Sequence, residues 1–288
     1  MKRRSLLLAA GCLSAPALLP ASAGAQGKDA AGLAAEARDA ARKGDLVQAL
    51  ALANRVVELE PKQTRSWTLR AQVQELRGEH AKSASDYGEA IRLAPAVADL
   101  WQQRGEAQFR GGKIRESIAD FDRYLALVPE QKPHHWQRGI SLYYAARYAD
   151  GKRQFEIHQT VNSQDVENAV WHFLCTTRAE SLDAARKKLI PIEGDPRVPM
   201  AQVHRLFAGK GSTREVLAAA EAASPRSRFG EPVFYAHLYL GLYYEATGDG
   251  GRAREHIFKA AERAKENGYM GDVARIHAEL LRKRGGKA

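Results

Sequence analysis

Residues 64–97 read TRSWTLRAQVQELRGEHAKSASDYGEAIRLAPAV, and residues 98–131 read ADLWQQRGEAQFRGGKIRESIADFDRYLALVPEQ. The two stretches have equal length, and tryptophan, glycine and proline return at the same positions in both. The same 34-residue interval extends to neighbouring residues, and it separates Gly44, Gly78 and Gly112 as well as Pro61, Pro95 and Pro129. A fixed interval of this length predicts a structural repeat, in which each unit buries its apolar face only against its neighbours.

The residue types at fixed positions predict two helices in each repeat. The repeats, numbered from 1 to 34, are 30–63, 64–97, 98–131 and 132–165. Position 15 is a glycine in three repeats, which favours a left-handed residue between two helices, and position 32 is a proline in the same three, which ends or starts a helix. Ala146 and Ser163 replace them in the fourth, so we interpret that repeat as degenerate. Position 8 is small, indicating a close helix crossing: Ala37, Ala71, Gly105 and Gly139.

This pattern resembles the tetratricopeptide repeat, a helix-turn-helix unit of 34 residues. The resemblance implies an all-α fold, a right-handed α-solenoid of stacked antiparallel helix pairs with a concave groove. We expect a signal peptide in residues 1–25, four repeat units in 26–165 and degenerate helical repeats in 166–233. We expect residues 234–288 to contain a late repeat unit, a C-terminal capping helix near 270–284 and a basic tail.

The late unit is predicted from the return of the repeat register. Gly241 and Gly248 occupy positions 8 and 15 of a further repeat, and Gly241 follows Gly139 by three intervals of 34 residues. Two eroded repeats would fill the gap. Helix-breaking segments such as Gly194-Asp195-Pro196 and Ser224-Pro225 interrupt it, so we expect two short helices near 200–208 and 212–223.

The first 25 residues predict a secretory leader. Lys2-Arg3-Arg4 forms a charged start, an apolar stretch follows, and small residues at 21–25 fit a cleavage site. The apolar stretch is too short and too interrupted to span a membrane. We therefore expect a periplasmic or secreted protein. Lipoprotein anchoring at Cys12 is the less favoured alternative, because Leu8 lies one place too early for a lipoprotein box.

Charged residues at two repeated positions predict ion pairs. Position 7 is Arg70 and Arg104 in successive repeats, and position 23 on the facing helix is Asp86 and Asp120. We expect each arginine to pair with the aspartate of its own repeat, half-buried between the two helices. Such a pair specifies the packing more than it stabilises the fold, because desolvation offsets much of the attraction.

No motif in the sequence indicates catalysis, so we expect no enzyme activity, no cofactor and no metal site. His134, His135 and His158 form the most suggestive set, but adjacent histidines on one helix diverge and no carboxylate or cysteine completes a zinc-like site. Cys175 lies in an apolar stretch, which favours an inert buried thiol. The net charge of +10 is compatible with acidic partners, but a secreted chain without a basic-aromatic motif argues against nucleic acid.

The concave wall is the predicted binding site. In such repeats positions 2, 5, 9 and 12 of the first helix line the groove, which here would run from a polar end to an aromatic end. Exposed aromatic residues mark contact sites, although Trp136 and Tyr143 packing on the following repeat is an equal alternative. The predicted partner-binding residues are Arg65, Gln72, Gln102, Glu106, Phe109, Trp136, Ile140 and Tyr143.

Two aromatic patches, at residues 138–144 and 239–244, resemble the NlpI-like periplasmic repeat proteins of bacteria. That resemblance implies a non-enzymatic adaptor that binds other proteins or peptides and recruits envelope proteases or cell-wall enzymes. It also implies a homodimer. The alternative is a structural subunit of an envelope or secretion assembly.

Overall fold

The computed structural model describes residues 29–223 and 231–285, which form fifteen α-helices and two short 3-10 helices without a β-strand. The predicted leader with Cys12, the segment Ser224-Pro225 and the last residues of the basic tail lie outside these described residues. The chain is therefore all-α over the part that can be analysed, as the repeat pattern predicts.

The helices follow one another with short connections. Their bounds are α1 (Ala30–Arg42), α2 (Leu46–Leu59), α3 (Thr64–Leu76), α4 (His80–Leu93), α5 (Ala98–Arg110), α6 (Ile114–Leu127), α7 (Trp136–Tyr144), α8 (Tyr148–His158), α9 (Val166–Ala179), α10 (Leu182–Lys187), α11 (Met200–Phe207), α12 (Thr213–Ala222), α13 (Pro232–Ala246), α14 (Gly250–Glu262) and α15 (Gly268–Gly285). The 3-10 helices are Pro129–His134 and Ala264–Glu266.

Consecutive helices pack as pairs, and each pair stacks on the next one. The pairs α1/α2, α3/α4, α5/α6 and α7/α8 occupy the predicted regular repeats, and α13/α14 occupies the predicted late repeat. Helices α9 to α12 fill the gap between them, with α11 and α12 where two short helices were expected. This stack is an α-solenoid of the tetratricopeptide type.

The turns between paired helices keep one backbone conformation even where the sequence has changed. Gly44, Gly78, Gly112 and Gly248 have φ values of 82°, 72°, 74° and 90°. Ala146, at the same position of the fourth repeat, also has a positive φ of 58°. An L-residue in this region is strained by its Cβ atom, so the fourth repeat retains the turn at an energetic cost.

Position 8 is small because the paired helices touch there. A Cβ atom added at Gly105 would lie 2.6 Å from the Phe121 ring, and one added at Gly139 would lie 2.6 Å from the Phe155 ring. A Cβ atom added at Gly241 of the late repeat would likewise lie 2.6 Å from the Ile257 side chain. The aromatic or aliphatic side chain of the second helix therefore fills the space that a larger residue would need.

The predicted ion pairs are confirmed. Arg70 donates from Nε and Nη2 to the two carboxylate oxygens of Asp86, both at 2.7 Å, and Arg104 binds Asp120 with the same geometry. The two aspartates are buried.

A further repeated contact was not predicted: the indole Nε1 of Trp67 donates to the Pro61 carbonyl at 2.8 Å, and that of Trp101 donates to the Pro95 carbonyl at 3.0 Å. Each tryptophan thus forms a hydrogen bond between the segment that contains the proline and the helix that follows it. Pro61 and Pro95 lie in turns just after helices end, and Pro129 begins the 3-10 helix that leads to the next repeat.

Candidate binding groove

The N-terminal part of the predicted groove is open. Arg65 and Gln72 of α3 and Arg38 of α1 are exposed on the first helices of their repeats. Arg65 pairs with Glu60 at 2.9 Å and keeps two thirds of its side chain exposed. These side chains are polar and exposed, so they can contact a partner.

The middle of the groove is a closed hydrogen-bond network. Gln102 donates to Glu106 at 3.0 Å and to Gln137 at 2.8 Å, and Gln137 donates to Glu106 at 2.9 Å. His135 accepts from the Arg138 N–H through Nδ1 and therefore donates from Nε2 to Gln102, at 2.7 Å. Burial lowers the pKa of His135 to about 4, so the ring is neutral at pH 7. Through these bonds the predicted contacts Gln102 and Glu106 already have partners within the chain.

The aromatic end of the predicted groove requires a correction. Phe109, Ile140 and Tyr143 are buried, with at most 7% of their surface exposed. Phe109 stacks on Tyr269 with ring centroids 5.0 Å apart, and Tyr143 meets Trp171 edge-on at 5.4 Å. These three side chains belong to the core, because the chain's own α9 and α15 cover them.

Trp136, also predicted to be a contact, is partly buried. Its ring meets that of Tyr269 edge-on, with centroids 5.1 Å apart. Trp136 and Tyr143 were expected either to be exposed in the groove or to pack within the chain. Tyr143 packs within the chain completely, and Trp136 does so in part.

Helix α15 is the element that fills this end of the groove. We expected it only as a terminal cap, but its residues Met270, Val273 and Ala274 are buried and it reaches back to α5. The Arg110 guanidinium joins three helices, since it binds Asp272 of α15 at 3.0 Å, Glu75 of α3 at 2.5 Å and Glu106 of α5 at 3.0 Å.

The far end of α15 is held by a second charged centre. Glu245 of α13 accepts from Arg178 at 3.0 Å and from Arg284 at 3.2 Å, and its Oε2 atom lies 3.0 Å from His277 Nε2. Burial opposes ionisation of Glu245, but the contacts with His277, Arg178 and Arg284 outweigh it and hold the pKa of Glu245 at about 2. The Tyr144 hydroxyl also lies 3.0 Å from His277 Nδ1. Polar contacts at both ends therefore fix α15 within the concave face.

A buried acidic cluster was missed by the sequence interpretation. Arg197 lies between Asp165, Glu167 and Asp195, at 2.5, 2.5 and 2.6 Å. We had interpreted Gly194-Asp195-Pro196 only as a helix breaker. The sequence Asp195-Pro196-Arg197 could have predicted the cluster, because charged residues in a loop that packs against helices need partners of opposite charge.

The histidines and the cysteine considered as candidate ligands lie within residues 29–223 and 231–285. No group of three or more His, Cys, Asp or Glu side chains there could hold a metal ion. His158 donates from Nδ1 to the Pro133 carbonyl at 2.8 Å. Cys175 is buried and unpaired, and burial raises the pKa of its thiol far above the usual range.

The search for membrane-spanning helices was also negative within the described ranges. None of their helices is both long enough and apolar enough to cross a bilayer.

Comparison with known proteins identifies the repeat type. The tetratricopeptide repeat family matches residues 34–98 and 78–132. Among curated proteins, none matches the sequence significantly.

Solved structures share the fold at low sequence identity. A tetratricopeptide repeat protein from Parabacteroides merdae is 19% identical, with a TM-score of 0.58 over 88% of this chain and 98% of that one. MamA is 14% identical, with a TM-score of 0.51 over 55% and 86%. PilW, a type IV pilus biogenesis factor, is 15% identical, with a TM-score of 0.50 over 85% and 97%. The family match covers residues 34–132, and the solved structures share the tetratricopeptide repeat fold with this chain.

Proposed function

We propose that the chain is a non-enzymatic scaffold of the bacterial cell envelope that binds proteins or peptides on the concave face of α1 and α3. Tetratricopeptide repeats generally serve as protein-interaction scaffolds, and the predicted leader supports an envelope location. The resemblance to NlpI-like proteins supports a partner among envelope proteases or cell-wall enzymes.

One observation carries the proposal. The concave face is filled by α15 along α5 and α7, whereas Arg38, Arg65 and Gln72 remain exposed on α1 and α3. A partner that uses the groove must therefore enter at the N-terminal end. Polar and charged side chains there favour a hydrophilic segment of the partner, because an apolar segment would leave them without hydrogen bonds.

Charge reversal at Arg65 tests the groove against a matched control. Arg65 in α3 and Arg92 in α4 belong to the same repeat, with 67% and 64% of their side chains exposed, and each pairs with a glutamate at 2.9 Å. Arg92 lies on the second helix, away from the groove wall. Envelope proteins would be captured with the wild-type chain, with Arg65→Glu and with Arg92→Glu, and identified by mass spectrometry.

We expect a protease or cell-wall enzyme to be retained by the wild type and Arg92→Glu and lost from Arg65→Glu. A photo-crosslinker at position 72 should join the same partner. Equal retention by all three proteins would contradict the groove assignment.

The homodimer remains a separate prediction. Light scattering that gives the mass of one chain at micromolar concentration would contradict it.

A further inference from the structure

The concave side contains a cavity that the groove proposal does not use. Its volume is about 630 Å³, and it lies between α7, α8, α9, α13 and the first turn of α15. Trp136 and Ile140, two predicted groove residues, form part of its wall, and Tyr269 and Met270 of α15 form another part. The volume falls within the range of roughly 300–1,000 Å³ that is typical of ligand sites.

Aromatic side chains dominate one part of the wall. Trp136, Trp171, Tyr235 and Tyr269 line the cavity, and Trp136 stands nearly perpendicular to Tyr269, at 88°. The faces of such rings attract cations as well as apolar groups. A ligand with an apolar stem and a positive end would match this wall.

Another part of the wall has an excess of negative charge. Asp165, Glu167 and Arg197 line the cavity, and Asp195 binds the same guanidinium. Three carboxylates share one cation, so the cluster stays negative even when one carboxylate is protonated. Because Arg197 is already bound by carboxylates on three sides, it offers little to an anion.

One hydrogen-bond acceptor in the wall lacks a donor. The Oδ1 atom of Asn168 is buried without a partner, and the residue is only 2% exposed. An unpaired buried acceptor costs free energy, and a donor that enters the cavity can remove this cost.

We propose that this cavity binds the positively charged side chain of a lysine or arginine carried by a partner peptide. The methylene stem would pack between the aromatic rings, and the cation would donate to Asp165, Glu167 and Asn168. The buried indole N–H of Trp171, which has no acceptor, suits a peptide carbonyl. The inference rests on the proposed function, since it assumes a peptide partner.

Short peptides test the charge and the site together. Acetyl-Gly-Lys-Gly-amide, its arginine analogue and its uncharged norleucine analogue would be titrated calorimetrically into the full chain. We expect the two cationic peptides to bind at least tenfold more tightly than the norleucine peptide. Trp136→Leu, which keeps an apolar side chain but removes the aromatic ring, should weaken lysine binding about tenfold.

Trp67→Leu provides the matched control, because it removes a tryptophan of α3 outside the cavity and should leave binding unchanged. Circular dichroism and the melting temperature would verify that both variants are folded. Equal binding of the norleucine peptide, or no effect of Trp136→Leu, would overturn the proposal. If n-butylammonium binds as tightly as the lysine peptide, the cavity recognises small amines and the proposal of a peptide ligand is wrong.

The groove variant separates the two proposals. Arg65→Glu should abolish partner capture and leave lysine-peptide binding intact, because Arg65 does not line the cavity. If no peptide binds while Arg65→Glu still abolishes capture, the cavity assignment alone fails.

Discussion

The two halves of the molecule are stabilised in different ways. In α1 to α6, where the repeat sequence is regular, the buried side chains form small separate clusters rich in alanine, such as Ala37, Ala49 and Ala53. From α7 to α15, where the repeat sequence is eroded, one continuous cluster extends to Leu281, includes Trp171 and reaches back to Phe109 of α5. Regular repeats can rely on identical local interfaces, whereas the eroded repeats depend on a large, non-repetitive aromatic core.

The largest expected effect comes from truncating that aromatic core. Phe173 is fully buried and meets Phe207 edge-on at 5.1 Å, so Phe173→Ala should lower the free energy of unfolding by about 4 kcal/mol. Hydrogen exchange should then rise in α11, α13 and α15 together. Phe121→Ala removes an equally buried ring from the regular half and should raise exchange only in α5 to α7. Unchanged exchange of α15 in Phe173→Ala would contradict a continuous core.

The acidic cluster gives the eroded half a distinct pH dependence. Burial, with the nearby Asp165 and Asp195 charges, outweighs Arg197 and the Tyr239 hydroxyl and raises the pKa of Glu167 from 4.5 to about 7. The folded state thus binds this proton more tightly than the unfolded state. The free energy of unfolding should therefore fall as pH rises from about 4.5 to 7, by at most about 3 kcal/mol.

Glu167→Gln, which cannot ionise, should lack this contribution. Urea denaturation at several pH values gives the difference between wild type and variant. Glu116→Gln, at an exposed position of α6, controls for the loss of one carboxylate. If the difference in the free energy of unfolding between wild type and Glu167→Gln stays constant from pH 4.5 to 7, the pKa of Glu167 is not raised.

The ion pairs distinguish a regular repeat from a degenerate one. Arg104→Leu leaves Asp120 buried without a cation and should lower the free energy of unfolding by about 2 kcal/mol. The loss is smaller than for a fully buried pair, because Arg104 is partly exposed. Arg138→Leu should cost under about 1 kcal/mol, because its carboxylate partner Asp122 is exposed. The double variant Arg104→Leu/Asp120→Leu should recover part of the loss. Equal losses for the two single variants, measured by urea denaturation, would remove this distinction.

The smallest expected effect concerns the turn of the fourth repeat. Ala146→Gly relieves a left-handed alanine and should raise the free energy of unfolding by about 0.5–1 kcal/mol, after allowing for the greater entropy of glycine in the unfolded chain. The reverse change in a regular turn, Gly112→Ala, should be destabilising by a similar amount. A lower melting temperature for Ala146→Gly would mean that the turn is not strained.

Much of the local structure was predictable from the sequence, because it repeats. The spacing of Gly78 and Gly112 placed the turns, and the pairing of position 7 with position 23 placed the two arginine–aspartate contacts. These features depend only on neighbours within one repeat, and their periodicity makes them visible in a single chain.

The candidate site was less predictable, because it depends on contacts outside the repeat register. Arg110 and Asp272 are separated by 162 residues, and no interval in the sequence connects them. Phe109 therefore looked like an exposed groove residue, although α15 covers it. The cluster around Arg197 had the same difficulty. Asp165 and Glu167 precede Arg197 by 32 and 30 residues and Asp195 by 2, and none of these separations is the repeat interval.

The return of α15 to α5 also affects how the molecule folds. An ordinary solenoid can form from any repeat outward, because each unit contacts only its neighbours. Here the contacts of Arg110 with Asp272, and of Arg275 with the Arg110 carbonyl at 2.6 Å, close a loop through most of the array. Contacts of such high sequence separation slow folding and join distant units into one cooperative transition, so α15 completes the packing of helices that precede it by more than 150 residues.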